Sequence, residues 1–311
     1  MGTSYAVTVV DRPLDEGRLA SLRTSIAVTL ESVDAAMSHY RPDSELSRFN
    51  HSPETTPVPV SRDLVAVVMD ALEISRETGG AFDVTIAPLV DAWGFGASGP
   101  VDVAPSLATL ASLRQDVGYR HLDADDADST LRKRRPGVRL DLSAIAKGHG
   151  VDRVAMGLDA AGVTEYLVEV GGELRLRGGN ENGEPWRIAI ERPRPGTPVA
   201  HRVLAFTDRA LATSGDYRNF YDLDGVRVSH TIDPRSGRPV THRLRSVSVL
   251  AERCARADGL ATALEVLGPD DGYALALEQG WAALFVMEDD DGTLRDRSTP
   301  AFDALGGGPP G

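Results

Sequence analysis

Apolar residues at Leu19, Leu22, Ile26, Leu30, Val33 and Met37 recur three and four positions apart. That is the repeat of one helix face, and it predicts a long amphipathic helix. Ahead of it, Tyr5–Val10 is rich in β-branched residues and predicts a strand. A second helix is expected to start at a Ser61 cap, bury Leu64, Val68 and Leu72, and stop at Gly79-Gly80. Glycines and prolines punctuate residues 83–105, which predicts irregular backbone there. A short helix near Leu107–Leu113 follows, then strands around Val138–Leu142 and Tyr166–Val170. The second half holds shorter strands, at Trp186–Ile190, Arg202–Phe206, Val226–His230 and Arg245–Leu250. Helices are expected over about Ala255–Leu267 and Asp271–Gln279, with a last strand at Trp281–Met287. Strands mixed with segregated helices favour an α+β fold over regular βαβ alternation. With no repeat and no dividing linker, residues 1–295 read as one domain and 296–311, ending GGGPPG, as a flexible tail.

Composition narrows the partners. The chain has 311 residues, 41% of them hydrophobic, which suits a globular protein with a sizeable core. Against 46 acidic residues stand 33 basic ones, a formal charge of −13, so nucleic acid is not an expected partner. An anionic ligand needs a local correction from a metal ion, backbone amides or a placed cation. Only two of the basic residues are lysines, Lys133 and Lys147; the rest are arginines. Cys254 is the single cysteine, which excludes an intrachain disulfide and a cysteine-based zinc site and reads as a small packing residue. No run approaches the ~18 apolar residues of a membrane span, and no charged-then-apolar leader opens the chain. The sequence as it stands therefore predicts a cytoplasmic protein, or an extracytoplasmic one if its start has been trimmed.

Four segments carry candidate chemistry. In LDLSAIAKGHG, a strand is expected to deliver Asp141, a turn of small residues follows, and a helix begins near Lys147. Helix-end amides and Gly148 can approach a phosphate closely, with Lys147 as a compact point charge; a surface lysine capping a turn fits the same residues. In ADGLATAL, Asp258 and Thr262 are four apart and share a helix face. Their hard oxygens suit Mg²⁺, although an acid in a first helical turn also simply complements the dipole. His230, beside the Asp233-Pro234 turn, can act as a base or hydrogen-bond donor, or merely be structural. The other six histidines show no metal-ligand spacing. Gly79-Gly80 with Phe82 and Trp93 offers close backbone approach and a planar ring, or only a helix stop and core residues.

Together these segments resemble the ApbE-type FAD:protein FMN transferases, in that family's order. Met1-Gly-Thr3 is similar to its opening, and residues 37–50, MSHYRPDSELSRFN, to the exit of its first helix. GGAFD, DLSAIAKG, TSGDY, HTIDPRSG and ADGLATAL match later signatures, so the likeness runs from residue 1 to about 287. It implies FAD as substrate, Mg²⁺ as metal and a Thr or Ser hydroxyl of a partner flavoprotein as acceptor, with AMP released. It also implies an α+β fold with the flavin held between two subregions. By resemblance Asp258, Thr262 and the Ala144 carbonyl bind the metal. Met1, Tyr40, Ala81, Phe82, Asp83, Asp141, Lys147 and Ile232 contact FAD, and His230 and Asp258 serve catalysis. Ser143, His149, Glu169 and Ser229 depart from the family pattern without removing a ligand. The same site could use water as acceptor, as an FAD pyrophosphatase, or bind FAD without chemistry. Lys147 is expected beside the ligand and Lys133, in an arginine-rich run, in solvent.

Overall fold

The expected first helix spans Glu16–Met37, after a strand at Tyr5–Val9, and turns Leu22, Ile26, Leu30, Val33 and Met37 inward. The computed structural model describes residues 2–10, 15–96, 99–194, 196–197, 199–215, 220–223 and 225–307. Met1, and Asp216 and Tyr217 of the TSGDY segment, lie outside them. The chain gathers into two units, each built from separated stretches: Met1–Ser32, Ile145–Tyr217 and Arg243–Gly311 in the first, Val33–Ala144 and Arg218–His242 in the second. The α+β class holds.

In the first unit the described residues form a seven-stranded sheet. Its order is Tyr5–Val9, Tyr166–Val170, Glu173–Arg177, Arg209–Gly215, Leu244–Ala251, Ala282–Glu288 and Leu294–Ser298, with every pairing antiparallel. Strand alternation sorts its side chains between two cores. Tyr166, Val168, Val170 and Ala210 face Leu22, Ile26 and Leu30, together with Val151, Val154 and Leu158 of the helix Ala146–Ala160. Leu174, Leu176, Leu211, Leu250, Leu284 and Val286 face the hairpin Trp186–Glu191/Ala200–Phe206. Each valine, leucine and isoleucine among them contributes about 1.5–3 kcal/mol over its exposed state.

Two expectations on helices resolve here. The segment Cys254–Glu278 is helical throughout except at Gly268, whose φ of 83° next to Pro269 divides it where two helices were expected. The flexible tail does not begin at 296. Leu294–Ser298 is a sheet strand, Thr299 caps a helical turn at Pro300–Phe302, and Phe302 is wholly buried in the second core. Leu294, Ala301, Phe302 and Leu305, packed in that core, outweigh the glycine signal; residues 308–311 lie outside the described part. Cys254 is buried, as a packing residue should be.

In the second unit Ser44 and Ser61 cap the helices Glu45–His51 and Arg62–Glu77, accepting from Ser47 N (3.0 Å) and Leu64 N (3.2 Å). A small sheet pairs Val58–Pro59, Thr130–Lys133 and Leu122–Asp125. The irregular 83–105 stretch contains a helical turn at Ala87–Ala92, with Pro88 where proline is tolerated.

Two readings fail in this unit. Residues 138–142 alternate, with Val138, Leu140 and Leu142 buried, yet they form no ladder beyond one bridge from Arg139 to Ile86. Instead the Asn50 amide satisfies Leu140 on both sides, donating to its carbonyl (2.8 Å) and accepting from its N–H (2.8 Å). Lys133 is not solvated but completely buried. Its strand turns the side chain inward, and Nζ donates to the carbonyls of Phe49 (3.0 Å), Asn50 (3.4 Å) and Val138 (3.3 Å) over the Phe49 ring. Desolvation holds its pKa below the usual lysine value. Among the described residues no helix is long and apolar enough to cross a membrane.

Candidate functional site

The chemistry of the first unit collects where two helices meet. The Lys147 helix starts without a side-chain cap, and its Gly148 approaches the Asp258 helix so closely that a Cβ there would lie 2.4 Å from Cys254 O. Asp152, one turn on, replaces the missing cap of the partner helix by accepting from Cys254 N (3.0 Å) and Ala255 N (3.0 Å). Arg175 Nη1 pairs with the same carboxylate at 2.7 Å.

This contact brings Lys147 to Asp258. Gly148 N donates to Asp258 Oδ2 (3.0 Å), and Lys147 Nζ stands 3.7 Å from Oδ1. A second carboxylate holds the ammonium more tightly: Glu173 Oε1, at 2.7 Å. Glu173 and Asp258 are buried, whereas the Lys147 side chain is 31% exposed. Burial pushes the Glu173 carboxyl up to about 8, assisted by the nearby Asp258 charge and opposed by Lys147. Asp258 is raised by burial and pulled back by Lys147 and the Gly148 amide. For Lys147 desolvation opposes the charge, but Asp258 and Glu173 outweigh it and raise its pKa.

Two buried carboxylates thus share one ammonium, and Glu173 Oε2 has no hydrogen-bond partner among the described residues. An acid pair whose charged form burial disfavours, with one oxygen unpartnered, fits a bound cation. Thr262 lies one turn after Asp258 on its helix, half-buried, and supplies a hydroxyl. No group of three His, Cys, Asp or Glu side chains able to hold a metal occurs among the described residues. The oxygens this unit offers, a carboxylate and a hydroxyl, suit Mg²⁺ keeping several waters. Ala144, the expected carbonyl donor, ends the second unit's segment one residue before Ile145 opens the first unit's.

In the second unit the GGAFD segment follows a helix stop. Gly79 and Gly80 take φ of 59° and 83°, conformations that glycine adopts without strain. Phe82 N donates to Thr78 Oγ1 (3.2 Å), and Ala81 and Phe82 are buried. Asp83 turns inward: Oδ1 accepts from Thr85 N (2.8 Å) and Oγ1 (2.6 Å), and Oδ2 from Tyr119 N (2.6 Å). Burial raises its pKa, with the Thr85 and Tyr119 bonds acting against that rise. Asp141 N donates to Val84 O (2.7 Å), so the DLSA segment lies directly beside GGAFD. Its Oδ1 accepts from Ser143 N (2.8 Å), and His39 Nδ1 stands 4.0 Å away. The His39 ring is 4.0 Å from that of Tyr40, which is largely exposed.

His230 follows the strand Val226–Ser229 and meets the Phe95 ring edge-on at 6.2 Å. The turn after it is tied down from 144 residues away, since Trp93 Nε1 donates to Gly237 O (2.8 Å). Tyr221 OH donates in turn to Trp93 O (2.8 Å). Ile232 packs with Leu89, Trp93, Leu110 and Val228 in the core, so any ligand contact it makes comes from its main chain.

Lys147, Asp258 and Thr262 are therefore brought together in one unit, and Tyr40, Ala81, Phe82, Asp83 and Asp141 in the other, with His230 and Ile232 in a further cluster there. Glu173 and Asp152 were not anticipated. The signal for Glu173 was Gly171-Gly172 straight after a strand: both take positive φ, 61° and 102°, and a Cβ on Gly171 would lie 3.3 Å from Lys147 Cδ. Gly171 makes room for the Thr3 side chain, 2.9 Å from such a Cβ, and for the lysine stem.

Comparison with known proteins bears on the whole chain. The ApbE family model matches residues 1–285. A FAD:protein FMN transferase of Vibrio cholerae is 45% identical over 293 residues, covering 94% of this chain and 86% of that protein. The protein of the same name from Salmonella typhimurium is 39% identical over 294 residues, covering 94% and 83%. Among solved structures, the flavin transferase ApbE from Vibrio cholerae superposes with a TM-score of 0.88 at 43% identity, covering 98% and 96% of the two chains. The Pseudomonas stutzeri flavinyl transferase ApbE gives 0.89 at 39% identity, covering 99% and 95%. The chain belongs to the ApbE family.

Proposed function

We propose that this protein is a Mg²⁺-dependent FAD:protein FMN transferase. It moves FMN from FAD to a Thr or Ser hydroxyl of an acceptor flavoprotein and releases AMP. The observation that carries the reading is the cluster of Lys147, Asp258 and Glu173, with Thr262 one turn on, in a chain whose relatives carry that name.

The acceptor oxygen attacks the phosphorus on the FMN side of the diphosphate. A phosphoester bond forms as the bridging P–O bond breaks, and AMP leaves with the electron pair. Lys147 keeps its proton, because its two carboxylate neighbours favour the charged form, and so offers a fixed positive charge to the phosphates. His230 takes the proton of the attacking hydroxyl, its ring steadied by Phe95 and its loop by Trp93. Tyr40 offers an open ring face to the flavin, and Asp141 and the Ala81–Phe82 main chain offer polar contacts beside it. Asp258, Thr262 and the Ala144 carbonyl are the groups that would hold Mg²⁺, which when bound neutralises phosphate charge.

The test incubates the chain with FAD, MgCl₂ and an acceptor flavoprotein domain, and looks for a fluorescent protein band and the matching mass increase. Labelling should vanish with EDTA and fall by about 10²-fold or more in Asp258→Asn and Asp258→Ala. Normal transfer by both variants refutes the site. Free FMN and AMP without labelled protein would make it a pyrophosphatase, and tight FAD binding without AMP release a binding protein.

A further inference from the structure

We infer that Glu173 is a positioning residue that holds the Lys147 ammonium off Asp258 and so keeps Asp258 Oδ1 open for the divalent cation. This rests on Asp258 being a metal ligand, as proposed above.

Asp258 has two oxygens, and the fold has already used one. Oδ2 accepts from Gly148 N at 3.0 Å, fixed by the close packing of the two helices. Oδ1 is the oxygen the Gly148 amide leaves unengaged, and the protein cation nearest to it is Lys147 Nζ, at 3.7 Å. That separation is outside hydrogen-bond distance, and a shift of about 1 Å would close it into a direct pair. What opposes the shift is Glu173, whose Oε1 takes the ammonium at 2.7 Å. Glu173 is fit for this task. Its side chain is 4% exposed, it sits in a strand of the seven-stranded sheet, and Gly171 leaves room for the lysine stem. Lys147, 31% exposed, keeps two further N–H donors for phosphate oxygens.

The expectation for Glu173→Ala follows. Lys147 loses its nearer partner, moves onto Asp258 Oδ1 and competes there with the metal. Loss of an orienting partner of this kind typically weakens metal binding by about 10-fold or more.

The experiment measures Mn²⁺ binding to the full chain without substrate, from the electron paramagnetic resonance signal of free Mn²⁺, with circular dichroism as a folding check. Glu173→Ala should bind Mn²⁺ about 10-fold more weakly than wild type, and Glu173→Gln, which still accepts a hydrogen bond, about 3-fold more weakly. Adding Lys147→Met to either variant removes the competitor, and the loss relative to Lys147→Met alone should shrink below about 2-fold. Unchanged affinity in Glu173→Ala and Glu173→Gln overturns the inference. An equal loss with and without Lys147→Met also overturns it, because Glu173 would then act on the ion itself. Should Glu173→Ala fail to fold, Glu173→Gln carries the same comparison. Asp258→Asn separates the two levels: if it leaves Mn²⁺ binding intact, the metal assignment fails whatever Glu173 does.

Discussion

Gly148→Ala adds a single methyl group at the tightest point of the site. Its Cβ would lie 2.4 Å from Cys254 O, 2.6 Å from Cys254 C and 2.7 Å from Ala255 N. All three are backbone atoms at the start of the Asp258 helix, so no side chain can swing aside. Overpacking of this sort costs about 1–3 kcal/mol. Parting the helices also stretches the bond from Gly148 N to Asp258 Oδ2, and hydrogen bonds to charged groups contribute about 1.5–3 kcal/mol. Against these stands the gain of about 1 kcal/mol from replacing glycine with alanine inside a helix. The net expectation is a loss of about 2–5 kcal/mol, or roughly 3–8 °C in Tm for a chain of this size. Gly157 provides the control, since it lies in the same helix and a Cβ there meets nothing within 4 Å. Gly157→Ala should keep only the helix-forming gain and be stabilised by about 0.5–1 kcal/mol. Calorimetry and urea unfolding of both variants, with Mn²⁺ binding alongside, decide the matter. If Gly148→Ala is as stable as wild type, the helices are not in close contact at this point. A matching loss in Gly157→Ala would attribute the effect to the helix rather than to the contact.

Lys133→Met leaves the three carbonyls that Lys133 serves without their shared donor, and should cost about 2–4 kcal/mol in urea unfolding; a neutral result would show that they find other partners. Asp123 is held below the usual carboxylate range by its bonds to Arg134 and Arg132. A depressed folded pKa adds stability above the unfolded value of about 4, and that stability is lost as pH falls through the folded value. Asp123→Asn should therefore lower the urea midpoint slightly at pH 7 and leave it unchanged near pH 2. The difference should shrink in high salt because the pair is exposed. An equal drop at both pH values would assign the loss to packing instead.

The elements that could be read from sequence were those whose local chemistry agreed with their packing. Leu22, Ile26 and Leu30 form one helix face wherever the helix docks, and Ser61 caps its helix with its own hydroxyl. Gly268-Pro269 broke the last helix where composition said it should. The failures share a different cause, dependence on a distant partner. Residues 138–142 have strand-like alternation but find Asn50, 90 positions away, in place of a neighbouring strand. Lys133 lies among arginines in the sequence, yet its stem runs inward to carbonyls that only the folded unit brings near. Phe302 precedes a glycine-rich end and is nevertheless a core residue. At the site, Asp258, Thr262 and Lys147 stood out by residue type and spacing. Glu173 did not, because a lone acid after two glycines acquires meaning only when Lys147 arrives from another helix.

The unusual distribution of lysine has a practical side. Of the two side-chain amines, one is sealed in the interior and the other stands between carboxyl groups, so the outer positive charge is carried almost wholly by guanidinium groups. Acylating reagents, which attack unprotonated amines, will therefore modify this protein sparsely and slowly. Lys147 becomes a built-in reporter: with Asp258 neutralised its proton is held less firmly, and its labelling rate should climb while that of the buried Lys133 and of the α-amine stays as it was. A single acylation mass shift, followed over time, would register the electrostatic state of the site without any probe being engineered into it.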